Sequence, residues 1–202
     1  KNNILTDFFT TGTYDARREF YKTNAPAMDI LVSSNLERLV WFMVNGDSEK
    51  VNKYMEELKE TGVYKVDDET LARVQKEFKA GCLGEEDVLK VVHDCWNENK
   101  YLLDTHTAVG YGVYEEYVKN TGDTTKTILL STASPYKFPE SVYQALTGEE
   151  VDVYTAIEKL HDLTGMEISY PLKGIKDREI LHKGVIDRDA ILDTIAEKIK
   201  EY

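Results

Sequence analysis

Ser131, Thr132, Ala133 and Ser134 stand between an apolar run, Thr127–Leu130, and Pro135. Small hydroxyl residues at such a junction can do two things. They can hydrogen-bond a ligand heteroatom, while the helix start behind them favours an anion. In an open α/β sheet that junction is where ligands bind. The same hydroxyls can also cap the helix and bind nothing. Thr127–Leu130 reads as a short buried strand. Pro135 fits a first helical turn, where its missing N–H costs nothing. The run Pro139–Leu146 continues that helix, with Val142, Tyr143 and Leu146 on one side.

Other residue types leave alternatives open. Arg17, Arg18 and Lys22 form a basic loop that could receive a phosphate or pair with the acidic surface. Asn35 and Arg38 could contact substrate, lie on a helix surface or face a domain interface. His106 could carry a proton or be a packed or capping histidine. Cys82 and Cys95 make no disulfide framework and read as reduced cysteines. His93 lies near Cys95 without a second ligand pair, so no metal site is expected. Neither GxGxxG nor GxxxxGK[ST] occurs in the chain.

STASPYKFPESV, from Ser131 to Val142, resembles the STAHPAKF-type segment of the threonine synthases. NNILTDFFTTGTYDARR (Asn2–Arg18), PAMDILVSSNLERL (Pro26–Leu39) and LDTHTAVGYGVY (Leu103–Tyr114) are similar to that family in the same order. Ser134 departs from the pattern, since many relatives have His there. The resemblance implies a pyridoxal-phosphate enzyme that converts O-phosphohomoserine and water to threonine and phosphate. It implies a fold of the tryptophan-synthase-β type. Aligning STASP with the family puts Thr132, with Ser131 beside it, against the cofactor's pyridine nitrogen. A neutral hydroxyl leaves the ring less electron-withdrawing than a carboxylate would, which suits replacement chemistry at the β and γ carbons. The family's Schiff-base lysine and glycine-rich phosphate loop lie upstream of the matching segments, and Lys137 does not match that lysine. Lys1 opens the chain inside a helical pattern, so the chain is expected to be the C-terminal portion of a longer enzyme, inactive alone.

The elements that must position these residues can be read from periodicity. Ile4, Leu5, Phe8 and Phe9 sit at helical spacing and Gly12 stops them. Met28–Val32 reads as a buried strand. Ser33 or Ser34 then caps a helix, with Glu37 in capping-box spacing and Leu36, Leu39, Val40 and Met43 as its stripe. Ser48–Thr61, Asp67–Ala80 and Gly84–Asn99 are amphipathic helical patterns, the last two with acids at their starts. They suggest a helical insertion at about 46–101. Leu102–Asp104 is a strand candidate, and Thr105 or Thr107 caps a helix ending at Asn120–Gly122. Gly110 and Gly112 within that helix suggest close packing. Glu150–Leu163 is helical up to Gly165, and Asp187 caps a last helix, Ala190–Tyr202, striped by Ile191, Ile195 and Ile199.

The expected fold is therefore α/β and helix-rich, with few parallel strands. With the resemblance, it is part of the larger domain of a two-domain enzyme. A net charge of −12 on 202 residues argues against nucleic-acid or membrane partners. No run of 18 apolar residues and no signal peptide is present, and a cytoplasmic protein is expected. The alternative is a non-catalytic, acidic helical interaction module.

Overall fold

The computed structural model describes residues 2–201. The chain divides into two units, Lys1–Ile168 and Ser169–Tyr202.

In the first unit, helix α1 covers Ile4–Thr11 and buries Ile4 and Phe8. Gly12 ends it at φ 73°, a left-handed turn that a Cβ would strain. The turn feeds β1, Thr13–Asp15, which pairs antiparallel with β2, Val63–Lys65. Tyr14 and Tyr64 are direct partners, and their rings stack at 5.4 Å. Tyr54, from α3 (Ser48–Thr61), extends the stack at 5.5 Å. These rings form one core with Ile4, Phe8, Val51 and Val66, and with Leu36 and Val40 of α2, Leu36–Met43. Helix α4, Asp68–Glu77, closes this half, its start capped by Asp67.

The rest of the unit is a helical layer. α5, Glu85–Asn99, packs on α6, Thr105–Thr121, and on α7, Pro139–Thr147; α7 in turn packs on α8, Val153–Thr164. Helices end where the glycines stood in sequence, with Gly62, Gly122 and Gly165 all in left-handed caps. In the second unit, three short 3-10 turns precede α9, Ile191–Lys200. The stripe of Ile191, Ile195 and Ile199 is exposed. The expected cap at Asp187 instead precedes a 3-10 turn, without a side-chain bond. Tyr202, the last residue of the expected helix, lies outside the described residues.

The helix-rich expectation holds, but the expected strands do not. Met28–Val32 is not a strand. Pro26 starts a 3-10 turn, and the Asp29 carboxylate accepts from the Thr23 amide, the Thr23 hydroxyl and Asn2. Tyr14 then takes the backbone groups a neighbouring strand would have used: its hydroxyl donates to Leu31 C=O at 3.0 Å and accepts from Ser33 N–H at 2.8 Å. Thr127–Leu130 has no ladder partner among the described residues; Ile128 is 83% and Leu130 75% exposed. The only described sheet is antiparallel, and its strand Val63–Lys65 lies inside the stretch expected to be all helix. Leu102–Asp104 is not a strand either, because Asp104 caps α6. Neither Ser33 nor Ser34 caps α2 through its side chain. Pro135 opens a 3-10 turn, Pro135–Lys137, and α7 begins at Pro139.

The two glycines of α6 differ. A Cβ on Gly112 would lie 2.5 Å from Leu83 Cδ1 and 3.0 Å from Val91 Cγ2. A Cβ on exposed Gly110 would meet only Leu129 Cδ1, at 3.8 Å. Gly110→Ala should therefore stabilise the chain by roughly 0.5–1 kcal/mol, the helix-propensity difference. Gly112→Ala should forfeit that gain by displacing Leu83 and Val91. Thermal melts of both variants check the contrast, and equal shifts would disprove it.

Candidate functional site

Asp104 has no solvent exposure and carries the site. At φ −78° and ψ 162° it is the N-cap of α6, where a carboxylate meets orphan amides and the positive end of the dipole. Its Oδ1 accepts from His106 N–H at 2.9 Å and Thr107 N–H at 3.3 Å. Neither Thr105 nor Thr107 is the cap. Thr105 Oγ1 is buried and has no hydrogen-bond partner among the described residues.

The side chains after the cap reach further. Thr107 Oγ1 donates to Asp104 Oδ2 and accepts from the Thr132 amide at 3.1 Å. His106 Nδ1 lies 3.2 Å from Asp104 Oδ1, and its Nε2 accepts from Ala27 N–H at 2.9 Å. The His106 ring also packs on Phe138, centroids 4.5 Å apart. His106 is thus buried and structural within this chain. Asp104, which the apolar Leu102–Leu103 pair disguised as a strand end, is the residue that sequence reasoning missed. The signal was present, as Asp directly before Thr-His-Thr is an N-cap pattern.

Thr132 is held by its backbone, while its own hydroxyl and that of Ser131 have no hydrogen bond among the described residues and stand exposed. Ser134 behaves differently: its Oγ accepts from Tyr136 N–H at 3.3 Å and caps the 3-10 turn. Tyr136 is buried, and its hydroxyl donates to Met166 C=O at 2.6 Å; burial pushes that phenol up from its ordinary pKa. The hydroxyl pair is therefore anchored at the Thr132 amide and, on its C-terminal side, at the Ser134–Tyr136 turn.

The other candidates make none of this network's hydrogen bonds. Arg17 pairs with Asp15 at 2.9 Å and Arg18 with Asp7 at 2.8 Å, so both guanidiniums of the basic loop are bound to carboxylates. The Arg17 contact holds the Asp15 carboxyl down to about 2. Arg38 Nη2 donates to Asn35 Oδ1 at 2.6 Å, both exposed at the start of α2. Lys137 Nζ lies over the Phe138 ring at 5.6 Å. Cys82 and Cys95 are unbridged. Among the described residues no His/Cys/Asp/Glu group could hold a metal ion, and no helix is long and apolar enough to cross a membrane.

Residues 107–173, from the Thr107 clamp through the hydroxyl segment and α8, match the family model "Threonine synthase, C-terminal". Over 162 residues the chain is 36% identical to threonine synthase of Saccharomyces cerevisiae, covering 73% of this chain and 32% of that protein. A crystal structure of threonine synthase from yeast superposes with a TM-score of 0.81 at 29% identity, covering all of this chain and 41% of the other. The chain corresponds to the C-terminal portion of threonine synthases. It spans about a third of the length of the curated threonine synthase it matches. A threonine synthase from Brucella melitensis, solved with pyridoxal phosphate bound, superposes with a TM-score of 0.66 at 30% identity, covering 87% of this chain and 37% of that one. Human threonine synthase-like 1 is 32% identical over 174 residues, 80% of this chain and 23% of that protein. The threonine synthase match thus covers both the exposed hydroxyls and the buried threonine that fixes their backbone.

Proposed function

We propose that this chain supplies the pyridine-side wall of a threonine synthase active site. The complete enzyme would convert O-phospho-L-homoserine and water to L-threonine and phosphate, a cytoplasmic step of threonine biosynthesis. The carrying observation is Thr132: its backbone is clamped to buried Thr107, and its hydroxyl is exposed without a partner. Bound pyridoxal phosphate supplies the electron sink for carbanion chemistry on the amino acid. A neutral hydroxyl donor fits its pyridine nitrogen, so Thr132 would hold the ring there, with Ser131 adjacent. The lysine that carries the cofactor and the loop that cradles its phosphate would come from an N-terminal portion of the same polypeptide. The exposed side chains of Ile128 and Leu130 support that arrangement, because adjacent apolar side chains left in solvent mark a surface that another part of a protein covers.

The test is phosphate release from O-phosphohomoserine. The complete polypeptide with pyridoxal phosphate should release phosphate and threonine in equal amounts, and the 202-residue chain alone should release neither. Borohydride treatment of this chain with the cofactor should trap no stoichiometric adduct on a single lysine. A complete polypeptide that binds the cofactor yet leaves O-phosphohomoserine intact would end the reading.

A further inference from the structure

The polarity of every hydrogen bond around Asp104 is fixed by its partners. Thr107 has one hydroxyl proton and two neighbours. Asp104 Oδ2 can only accept, so the proton points there. The Thr132 amide can only donate, so a lone pair of Oγ1 faces it. His106 obeys the same logic. Ala27 N–H donates into Nε2, which therefore has no proton, and Nδ1–H donates to Asp104 Oδ1. A helix cap needs only the backbone amides of His106 and Thr107. Here two further donors from side chains engage the same carboxylate, and each of those side chains grips the backbone of a distant segment. All three residues are at most 5% exposed. A buried network with each polarity settled is stiff.

We propose that Asp104, Thr107 and His106 form one positioning unit. Thr107 sets the Thr132 hydroxyl for the cofactor ring, and His106 ties the Pro26–Met28 turn into the same register. None of the three needs to touch cofactor or substrate. The inference rests on the reading that Thr132 contacts pyridoxal phosphate, and its test separates the two.

Two measurements suffice. Amide hydrogen exchange on this chain reads the clamp without cofactor. Thr107→Val should speed exchange at the Thr132 amide by about tenfold or more, and Thr107→Ser should leave it near the parent rate. His106→Ala should do the same to the Ala27 amide. Titration of the complete polypeptide with pyridoxal phosphate reads the consequence. Thr107→Val should raise the dissociation constant roughly 5- to 30-fold, the effect of one lost buried hydrogen bond, with rescue by Thr107→Ser. Unchanged exchange at Thr132 overturns the clamp. Faster exchange with unaltered cofactor affinity, beside a weakened Thr132→Val, overturns positioning and leaves the Thr132 contact standing. If Thr132→Val also binds normally, the contact falls and this inference with it. A lower melting temperature without any change in affinity counts as a purely structural role.

Discussion

Asp104→Ala should destabilise the chain by about 3–5 kcal/mol, more than any surface change. The carboxylate accepts from two amides, the Thr107 hydroxyl and the His106 ring, all in a fully buried setting. Losing the cap alone costs about 0.5–2 kcal/mol. Each donor left buried without a partner adds roughly 1–3 kcal/mol, partly relieved where the freed space admits water. Asp104→Asn keeps one acceptor oxygen for the amides and offends only at Thr107, so about 1–2 kcal/mol is expected. Total stability of a domain is about 5–15 kcal/mol, so the alanine variant should show a sharply lower urea midpoint with an unchanged slope. An unfolding free energy within about 0.5 kcal/mol of the parent's would mean that the donors find other partners and that Asp104 organises nothing.

That one residue explains much of what sequence reasoning could and could not reach. Helices were legible because amphipathic stripes and left-handed glycine stops are local, as at Gly12, Gly62, Gly122 and Gly165. Strands were not. Val63–Lys65 is three residues long, too short for alternation to register, and its pairing with Thr13–Asp15 is sealed by tyrosine stacking across a long sequence separation. Met28–Val32 has strand-like composition, but Asp29 and Tyr14 absorb its polar groups in turn chemistry. Composition cannot report a contact made by a side chain elsewhere in the chain.

The hydroxyl segment shows the same division. Its residue types and its resemblance to threonine synthases were plain from Ser131–Val142. What made Ser134 different from Thr132 was not, because both are small hydroxyl residues before a proline. Only the structure separates a serine whose oxygen is spent capping Tyr136 N–H from a threonine whose backbone is clamped and whose hydroxyl is open. Asp104 lies outside the family-matched range 107–173, yet it orients the first residue of that range.

Thr132→Val in the complete polypeptide should weaken pyridoxal phosphate binding or turnover by roughly 5- to 150-fold. The hydroxyl is the proposed donor to the pyridine nitrogen, and an acceptor left unpaired in a closed cleft costs about 1–3 kcal/mol, which converts to that range. Valine keeps the branched shape, and the backbone bond to Thr107 uses the amide, which the substitution retains. Folding should therefore survive, with the melting temperature close to the parent's. Ser131→Ala is the internal control, since its hydroxyl also lacks a partner in this chain but is assigned only a neighbouring place. The Ser131 change should have the smaller effect. If both hydroxyls served only the helix that follows, both variants would melt earlier and turn over normally per folded molecule. That outcome is already disfavoured by geometry, since the turn at Pro135 is capped by Ser134 and not by either of them. A normal Thr132→Val beside an inactive Ser131→Ala would move the pyridine contact by one residue. It would also overturn the positioning role of Thr107, which rests on Thr132 as the residue that meets the ring.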